Sequence, residues 1–280
     1  MHHLILGYGY CGYYLAQELL GHHQQVTVVS RQLKKELELS KLQHISHDLE
    51  YPFHWSEPDS IIYYLIPPPS QGTCDTFLQQ FLNQSSLNAK KIIYFGSSGV
   101  YGNHQGAWVD ELSACIIDSP RQQRRLDAEQ QWLAYCQQHS RELSLLRIAG
   151  IYGPNRIPVD AAKSKIPIIK PTEAPFTNHI FVKDLALIAY LLGQKQTTSA
   201  VYNVADGNPT HMGALQQTVA NALGIELASY ESFAQAWEKA SPMKREFMRA
   251  SKRLKIDMLK AALGEDIQFT SLYDAVKQSL

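Results

Sequence analysis

Short runs of apolar residues alternate with helical patterns through the first half of the chain. The runs are Leu4–Leu6, Val26–Val29, Ser60–Ile66, Ile92–Phe95 and Leu143–Arg147. Because their hydrophobicity is continuous, they are typical of strands that are covered on both faces. The segments between them predict helices at Gly12–Leu20, Leu33–Leu39, Thr73–Leu87 and Pro120–Gln138. This alternation predicts an α/β fold, a Rossmann-type doubly wound parallel sheet, over residues 1–150.

The pattern changes after Gly150, where prolines at positions 154, 158, 167, 171 and 175 interrupt a mostly irregular stretch. A helix at Val182–Leu192 and a strand at Ala200–Val204 follow, so residues 178–204 are expected to return to the sheet. Later helices are predicted at Met212–Leu223, Tyr230–Ala240, Ser251–Leu263 and Ser271–Gln278. Residues 151–280 are therefore interpreted as a small, mainly helical C-terminal cap that contributes to a substrate site.

Composition narrows the classes of partner. The chain has 280 residues, 45% hydrophobic and 19% charged, as is usual for a soluble globular protein. Lys plus Arg and Asp plus Glu both number 26, which gives no argument for nucleic acid or a membrane as partner. No apolar run approaches the ~20 residues of a membrane span, and the expected location is the cytoplasm. The four cysteines lack the spacing of a metal site, so no metal is predicted.

One local cluster of basic residues departs from this balance. We interpret it as a solvated helix face or the rim of a pocket. Its members are Lys244, Arg245, Arg249, Lys252, Arg253 and Lys255.

Residues 7–12, with the sequence GYGYCG, follow the first strand directly and open the first helix. In a dinucleotide site, Gly7 permits the tight turn, Gly9 lets backbone approach the pyrophosphate and Gly12 lets the helix pack close to the strand. The helix N-terminus adds unpaired N–H groups and a positive dipole end. The alternative is a glycine-rich turn that binds nothing. The predicted cofactor contacts also include Tyr8, Tyr10 and Cys11 in this loop, and Ile66 and Pro67 after a later strand.

The end of the second predicted strand distinguishes between cofactors. NAD-specific sites usually place Asp or Glu there, where it binds the ribose 2′-hydroxyl. This chain has Ser30 and Arg31 instead, and these could donate to and pair with a 2′-phosphate. NADP is therefore the predicted cofactor and NAD the alternative, unless Arg31 only begins an exposed helix. Asp48 and Leu49 follow the presumed third strand, where the carboxylate could accept from an adenine amino group or simply lie on the surface.

Four later segments jointly resemble the extended short-chain dehydrogenase/reductase superfamily, the NAD-dependent epimerase/dehydratase group. They are residues 92–102 (IIYFGSSGVYG), 146–154 (LRIAGIYGP), 178–186 (NHIFVKDLA) and 202–207 (YNVADG). Together with the glycine loop, the resemblance covers about residues 3–210 in order. It implies chemistry based on a Ser or Thr, a Tyr and a Lys, in which the Tyr exchanges a proton and the Lys lowers its pKa.

The chain departs from this pattern at the tyrosine. Ser97 matches the family's serine position, but Arg121 stands where the tyrosine should be and Arg125 where the lysine should be. Glu129 supports this register. Because arginine does not release its proton in proteins, Arg121 cannot be the general acid or base, although Arg125 could bind the ribose or a phosphate. The resemblance therefore implies an atypical member that lacks the YxxxK tyrosine.

Another group in the same region could handle the proton. Tyr101 lies four residues after Ser97, in a loop expected at the edge of the sheet where ligands bind. A packed, structural tyrosine is the alternative. His104 follows in a polar loop and could titrate near neutral pH, or it could simply be exposed.

Two functions follow from these features. The first is an NADP-dependent oxidoreductase or sugar-nucleotide-modifying enzyme with a degenerate active site, which acts on a small molecule. The second is a non-catalytic protein that senses NADP(H), with Arg121 and Arg125 holding a phosphate or carboxylate.

Alternatively, the helix that carries Arg121 and Arg125 faces solvent or a dimer partner. The resemblance implies a homodimer through Thr73–Leu87 and Pro120–Gln138, an expectation that the polar composition of residues 121–131 weakens.

Overall fold

The computed structural model describes residues 1–196, 200–264 and 267–280. Within these residues, seven strands form one parallel sheet. They are β1 (His2–Leu6), β2 (Gln25–Ser30), β3 (Gln43–Ser46), β4 (Ser60–Tyr64), β5 (Lys91–Phe95), β6 (Glu142–Ile148) and β7 (Val201–Val204). Their order is β7-β6-β5-β4-β1-β2-β3, and Ile5 of β1 lies beside Val28 of β2 and Tyr63 of β4. The predicted doubly wound parallel sheet is confirmed, and the strand order reverses between β1 and β4, where such sheets open a crevice.

Helices cover both faces of this sheet and build the cap. In the described ranges they are α1 (Tyr10–Gly21), α2 (Thr76–Gln84), α3 (Pro120–Gln138), α4 (Val159–Lys163), α5 (Val182–Gln194), α6 (Ala214–Leu223), α7 (Phe233–Lys239), α8 (Pro242–Arg249), α9 (Asp257–Leu263) and α10 (Leu272–Lys277). No helix in the described part of the chain is long and apolar enough to cross a membrane.

The core consists of two layers, one on each face of the sheet. On one face α1, α5 and α9 bury a set of leucines and an isoleucine: Leu15, Leu19, Leu185, Ile188, Leu192, Leu259 and Leu263. On the other face α2 and α3 bury Leu78, Phe81 and Trp132. Alternate residues of each strand serve the two layers, so Ile5 belongs to the first and Leu4 and Leu6 to the second. This arrangement explains why the strands are apolar without interruption.

The cap packs in two smaller clusters. Helices α4, α6 and α10 bury Tyr152, Phe181 and Val219 among them, and α7 and α8 bury Ala236 and Met248. Short strand pairs join distant segments, including Gly150–Tyr152 with His179–Phe181, Ile168–Ile169 with Tyr230–Glu231, and Phe176–Thr177 with Thr210–His211. The segment after Asn178 returns to the sheet through α5 and β7, which pairs with β6.

Several helix predictions were wrong in part. Leu33–Leu39 contains only one 3₁₀ turn, Lys35–Leu37. The predicted helix Ser251–Leu263 is helical only in α9, because Arg253–Leu254 pairs as a strand with Trp108–Val109. Conversely, α8 was not predicted, although Ser241 caps it and Pro242 occupies its first turn, an arrangement that marks a helix start.

Buried His3 makes the stability of this fold sensitive to acid. The side chain is fully buried in β1, where Nδ1 lies 3.0 Å from the Tyr63 hydroxyl. Nε2 has no hydrogen-bond partner among the described residues. Burial lowers the pKa of His3 to about 4. The unfolded chain therefore takes up a proton near pH 6.5 while the folded chain does not, and folded stability falls as the pH drops from 6.5 toward 4.

We expect His3→Gln to remove this part of the pH dependence. Between pH 7 and pH 5, the free energy of unfolding of the wild type should fall by about 1–2 kcal/mol more than that of His3→Gln. Urea denaturation at the two pH values measures the difference. His54→Gln, at an exposed position, serves as the control and should keep the wild-type dependence. Equal pH dependence in the wild type and His3→Gln would contradict the assignment.

Candidate functional site

The glycine loop that follows β1 is shaped by packing at two positions and open at the third. Gly7 has φ +94°, and a Cβ there would lie 2.7 Å from Ile66 Cγ1. A Cβ at Gly12 would lie 3.2 Å from the Gly7 carbonyl oxygen. A Cβ at Gly9 would meet no atom within 4 Å. Gly9 is also the N-cap of α1, and no side chain of the described residues caps the first N–H groups of the helix.

A cavity of about 420 Å³ lies at the carboxyl ends of β1, β2 and β4. Most of the predicted cofactor contacts line it: Gly7, Tyr8, Gly9, Ser30, Arg31, Asp48, Leu49, Ile66 and Pro67. His47, Glu50 and Phe77 line it as well, and the sequence analysis did not single them out. We call this space the first cavity.

Tyr10, Cys11 and Gly12 do not line the first cavity. Tyr10 points toward the cap, where the Arg156 guanidinium lies 4.2 Å from its ring centroid. Burial raises the pKa of the Cys11 thiol to about 11, so the thiol stays protonated at neutral pH. Gly12 acts through packing, because the carbonyl of Gly7 lies against it. Residues 10–12 therefore lie near the first cavity but do not line it.

The two residues that favoured NADP are placed differently. Arg31 is exposed, and its guanidinium has no hydrogen bond or ion pair with the residues that the structure describes. The Ser30 hydroxyl donates to the Gln32 carbonyl at 3.0 Å and lies 2.9 Å from His44 Nε2. Since this hydrogen is already used, the structure does not support Ser30 as a donor to a 2′-phosphate. Asp48 Oδ1 accepts from the Glu50 backbone at 3.2 Å.

A second cavity, of about 570 Å³, lies at the carboxyl ends of β5 and β6. Ser97, Arg121 and Arg125 all line it, although they are distant in sequence. No tyrosine lines it among the described residues. Ser97 begins the short turn Ser98–Tyr101, and its Oγ accepts from the Gly99 N–H at 3.1 Å. That contact leaves the hydroxyl hydrogen of Ser97 available to a ligand.

Tyr101 lies outside both cavities. It is fully buried, and its hydroxyl donates to Asn203 Oδ1 at 2.7 Å. Its ring centroid lies 4.8 Å from the Arg147 guanidinium carbon, and burial raises the pKa of the phenol to about 12. This placement contradicts the prediction of Tyr101 as a proton donor and favours the structural alternative. His104 does not line the second cavity either, and its ring nitrogen contacts the Ala114 carbonyl.

Arg121 and Arg125, two of the three arginines of α3, differ in their contacts. Arg121 Nη1 lies 3.8 Å from Glu246 Oε2, and its guanidinium carbon lies 5.1 Å from the Phe247 ring centroid. Arg125 is half-buried and has no hydrogen bond or ion pair within the described ranges. Burial, followed by the nearby charge of Arg121, lowers the pKa of Arg125. Both remain cationic at neutral pH, so the wall formed by α3 is positively charged.

Sequence reasoning missed several charged residues of the second cavity, above all Lys252. Only 6% of Lys252 is exposed, and Nζ donates to the Gly102 carbonyl at 3.2 Å. Burial lowers the pKa of this lysine to about 8, against the opposing effect of Asp118. Glu246 and Arg156 also line the cavity, as does His179, whose pKa burial lowers to about 4. The basic cluster that contains Lys252 was the available signal, although Lys252 is the only one of its six members that lines the second cavity in the described structure.

Comparisons with known proteins place the fold. No protein-family model matches the chain, and no curated protein matches it. A functionally unknown conserved protein from Silicibacter pomeroyi is 26% identical, with a TM-score of 0.79 over 99% of this chain and 96% of that one. UDP-glucuronic acid 4-epimerase from Bacillus cereus, in complex with NAD, is 17% identical, with a TM-score of 0.77 over 100% and 97%. MoeE5, in complex with UDP-glucose and NAD, is 20% identical, with a TM-score of 0.73 over 100% and 97%.

The chain has the fold of these structures. At such low identity to the two named NAD complexes, the likeness concerns architecture, and the chemistry must be argued from this chain's own residues. Among the described residues, no group of His, Cys, Asp and Glu side chains is arranged to hold a metal ion.

A buried ion pair joins β6 and α3, two elements that contribute residues to the second cavity. Arg147 of β6 donates to Glu129 of α3 through Nε at 3.1 Å and Nη2 at 2.9 Å, and Nη1 donates to the Glu111 carbonyl at 3.3 Å. Only 2% of Glu129 is exposed. Removing one partner from such a pair leaves an unpaired charge in the interior, which typically costs about 3–5 kcal/mol.

We expect Glu129→Gln to lower the free energy of unfolding by about 3 kcal/mol or more. The double variant Glu129→Leu with Arg147→Met should lose less than the single variant, because it buries no unpaired charge. Urea denaturation at pH 7 measures both. Glu226→Gln breaks an exposed ion pair with Lys165 and should leave stability unchanged. A double variant less stable than Glu129→Gln would show that packing, rather than charge pairing, dominates here.

Proposed function

We propose that this chain binds NADP(H) in preference to NAD(H) and uses it to modify a small, sugar-nucleotide-like molecule. The observation that carries the proposal is the pair of cavities at the carboxyl edge of the sheet. The first lies beside the open glycine loop, and the second contains Ser97. In open parallel sheets, ligands bind at this edge, where the strand order reverses. Two proteins of the same fold, MoeE5 and the Bacillus cereus epimerase, were solved with NAD.

The first cavity fits a dinucleotide. Gly9, the N-cap of α1, lines it, so the helix N-terminus directs the positive end of its dipole toward this space, and its first turn carries no acidic side chain. Gly9 leaves room for a pyrophosphate to approach the backbone. Arg31 lies at the end of β2 without a partner in the described structure, available to a 2′-phosphate. Asp48 lines the same cavity, where it could accept from an adenine amino group.

Gly9→Ala tests cofactor binding without disturbing the fold. At φ −120° and ψ −151°, alanine fits the backbone, and its methyl group would meet no protein atom. We expect unchanged thermal stability but at least a tenfold weaker affinity for NADP⁺, because the methyl group takes the space of the pyrophosphate. Calorimetric titration measures the affinity. Gly21→Ala, at the exposed end of α1, also meets no atom and should bind like the wild type. Unchanged affinity in Gly9→Ala would overturn the site.

The same titration tests the choice of cofactor. The wild type should bind NADP⁺ more tightly than NAD⁺, and Arg31→Gln should weaken NADP⁺ binding while sparing NAD⁺. Lys163→Gln, an exposed substitution on α4, controls for the loss of one positive charge. Equal wild-type affinity for the two cofactors would overturn the preference for NADP.

The second cavity supplies groups for orientation and proton exchange. The bound dinucleotide would supply hydride transfer. The Ser97 hydroxyl would donate to the reacting oxygen of the substrate. Lys252 would exchange the proton, because it lines the same cavity with a pKa of about 8 and makes a single hydrogen bond within the described structure. Arg121 and Arg125 cannot exchange it, because guanidinium groups stay protonated.

One observation favours the second candidate function, a non-catalytic NADP(H) sensor. The described wall of the second cavity has no tyrosine, and Arg121 and Arg125 stand in positions that resemble those of the family's catalytic pair. In a sensor, these residues would hold a ligand rather than act on it.

Turnover separates the two candidates. We expect the wild type to oxidise NADPH with at least one member of a panel of carbonyl compounds, including nucleotide-linked keto sugars. Ser97→Ala and Lys252→Met should each lower the rate about 100-fold or more while NADPH still binds. The wild-type rate of reduction should fall as pH rises through about 8, because only protonated Lys252 can donate. Exposed Lys255→Met is the matched control. NADPH binding without turnover on any compound would favour the sensor.

A further inference from the structure

The side chains that line the second cavity carry more positive than negative charge. Four cationic side chains line it, and Glu246 is the one carboxylate among its described lining residues: Arg121, Arg125, Arg156 and Lys252 are the cations. His179 does not add to this charge, since burial lowers its pKa to about 4 and keeps it neutral. A surplus of positive charge in a partly enclosed space attracts anions strongly.

Arg125 is the centre of this imbalance. It is half-buried, lines the cavity and makes no hydrogen bond or ion pair with the described part of the chain. Its guanidinium carries five N–H donors. Taking a charged group out of water without pairing it is unfavourable, so the position favours a ligand that supplies the missing acceptors.

Contacts within the protein already position Arg121, which lies on the same helix as Arg125. Arg121 and Arg125 lie one helical turn apart on α3, and the positive charge of Arg121 contributes to the lowered pKa of Arg125. Glu246 holds Arg121 at 3.8 Å through Oε2, and its Oε1 accepts from the Ser119 hydroxyl at 2.9 Å. The Phe247 ring supports the guanidinium. A long side chain that is already positioned loses less conformational entropy when it binds a ligand.

We propose that Arg121 and Arg125 form a binding site for a phosphate group, a monoester or a diphosphate, carried by the molecule that occupies the second cavity. Guanidinium groups bind phosphate oxygens in a bidentate manner, and a dianion balances more of the surplus charge than a single carboxylate does. This inference rests on the proposed function, because it assigns the residues that would hold a phosphate of the substrate proposed there. It concerns a different phosphate from those of the dinucleotide, which are expected at the glycine loop in the first cavity.

Pyrophosphate binding to Gly9→Ala tests the site apart from the dinucleotide, since that variant should no longer hold phosphate at the glycine loop. We expect calorimetry to show pyrophosphate binding to Gly9→Ala with a Kd below about 1 mM. Adding Arg125→Gln should weaken pyrophosphate binding at least tenfold. Adding Arg121→Gln should weaken it less, because the Arg121 guanidinium is already paired with Glu246. Gly9→Ala with Lys163→Gln, which removes a charge outside the cavity, should bind like Gly9→Ala alone.

Two further measurements, on an Arg125→Lys variant and on malonate, test the assignment to phosphate. Adding Arg125→Lys keeps the charge but loses the planar fork of the guanidinium, so it should bind pyrophosphate more weakly than Gly9→Ala alone. This comparison tests the site even if the variant with Arg125→Gln folds poorly. Malonate should bind more weakly than pyrophosphate. Equal binding of malonate would overturn the phosphate assignment, and unchanged pyrophosphate binding on loss of Arg125 would overturn the site. If the wild type fails to bind NADP⁺ but these results hold, the proposed function fails and the phosphate site stands.

Discussion

The second cavity is lined in part by residues of β6 and α3, and the buried pairing of Arg147 with Glu129 holds these two elements together. The same Arg147 guanidinium lies against the Tyr101 ring and donates to the Glu111 carbonyl. The Glu111 carboxylate in turn accepts from the Asn203 backbone on β7, and the Asn203 side chain accepts from Tyr101. A buried polar group that loses its partner is costly, so these linked contacts favour one arrangement of α3, the turn after Ser97 and the edge of the sheet.

The sheet and the glycine loop could be predicted because their signals are local. Strands covered on both faces must be apolar throughout, and a loop that packs against its neighbouring strand needs glycine at Gly7 and Gly12. The resemblance to the family's motifs singled out Ser97, Arg121 and Arg125 as candidate site residues, because each aligns with a family catalytic position. Their meeting in one cavity then follows from the parallel sheet, which brings the ends of β5 and β6 to the same edge.

The cap could not be predicted in the same way, because distant contacts decide its local structure. Residues 251–256 have a composition that suits a helix, yet Arg253–Leu254 is held as a strand by Trp108–Val109, far away in sequence. The same pairing fixes the backbone on which Lys252 enters the second cavity. Tyr101 failed as a catalytic prediction for a related reason. Sequence spacing puts it near Ser97, but only the fold shows that its hydroxyl is used by Asn203 in the core.

The ion pair in the core also explains why Arg125 lacks a partner. Arg125 and Glu129 lie four residues apart on α3, a spacing at which opposite charges on a helix ordinarily pair. Arg147 instead takes the Glu129 carboxylate through two of its nitrogens. The remaining influence of Arg125 on Glu129 is electrostatic, one of the effects that lower the pKa of that carboxyl against the stronger effect of burial. Arg125 therefore lines the second cavity without a hydrogen bond or ion pair to the described residues, which is the arrangement that the proposed phosphate site requires.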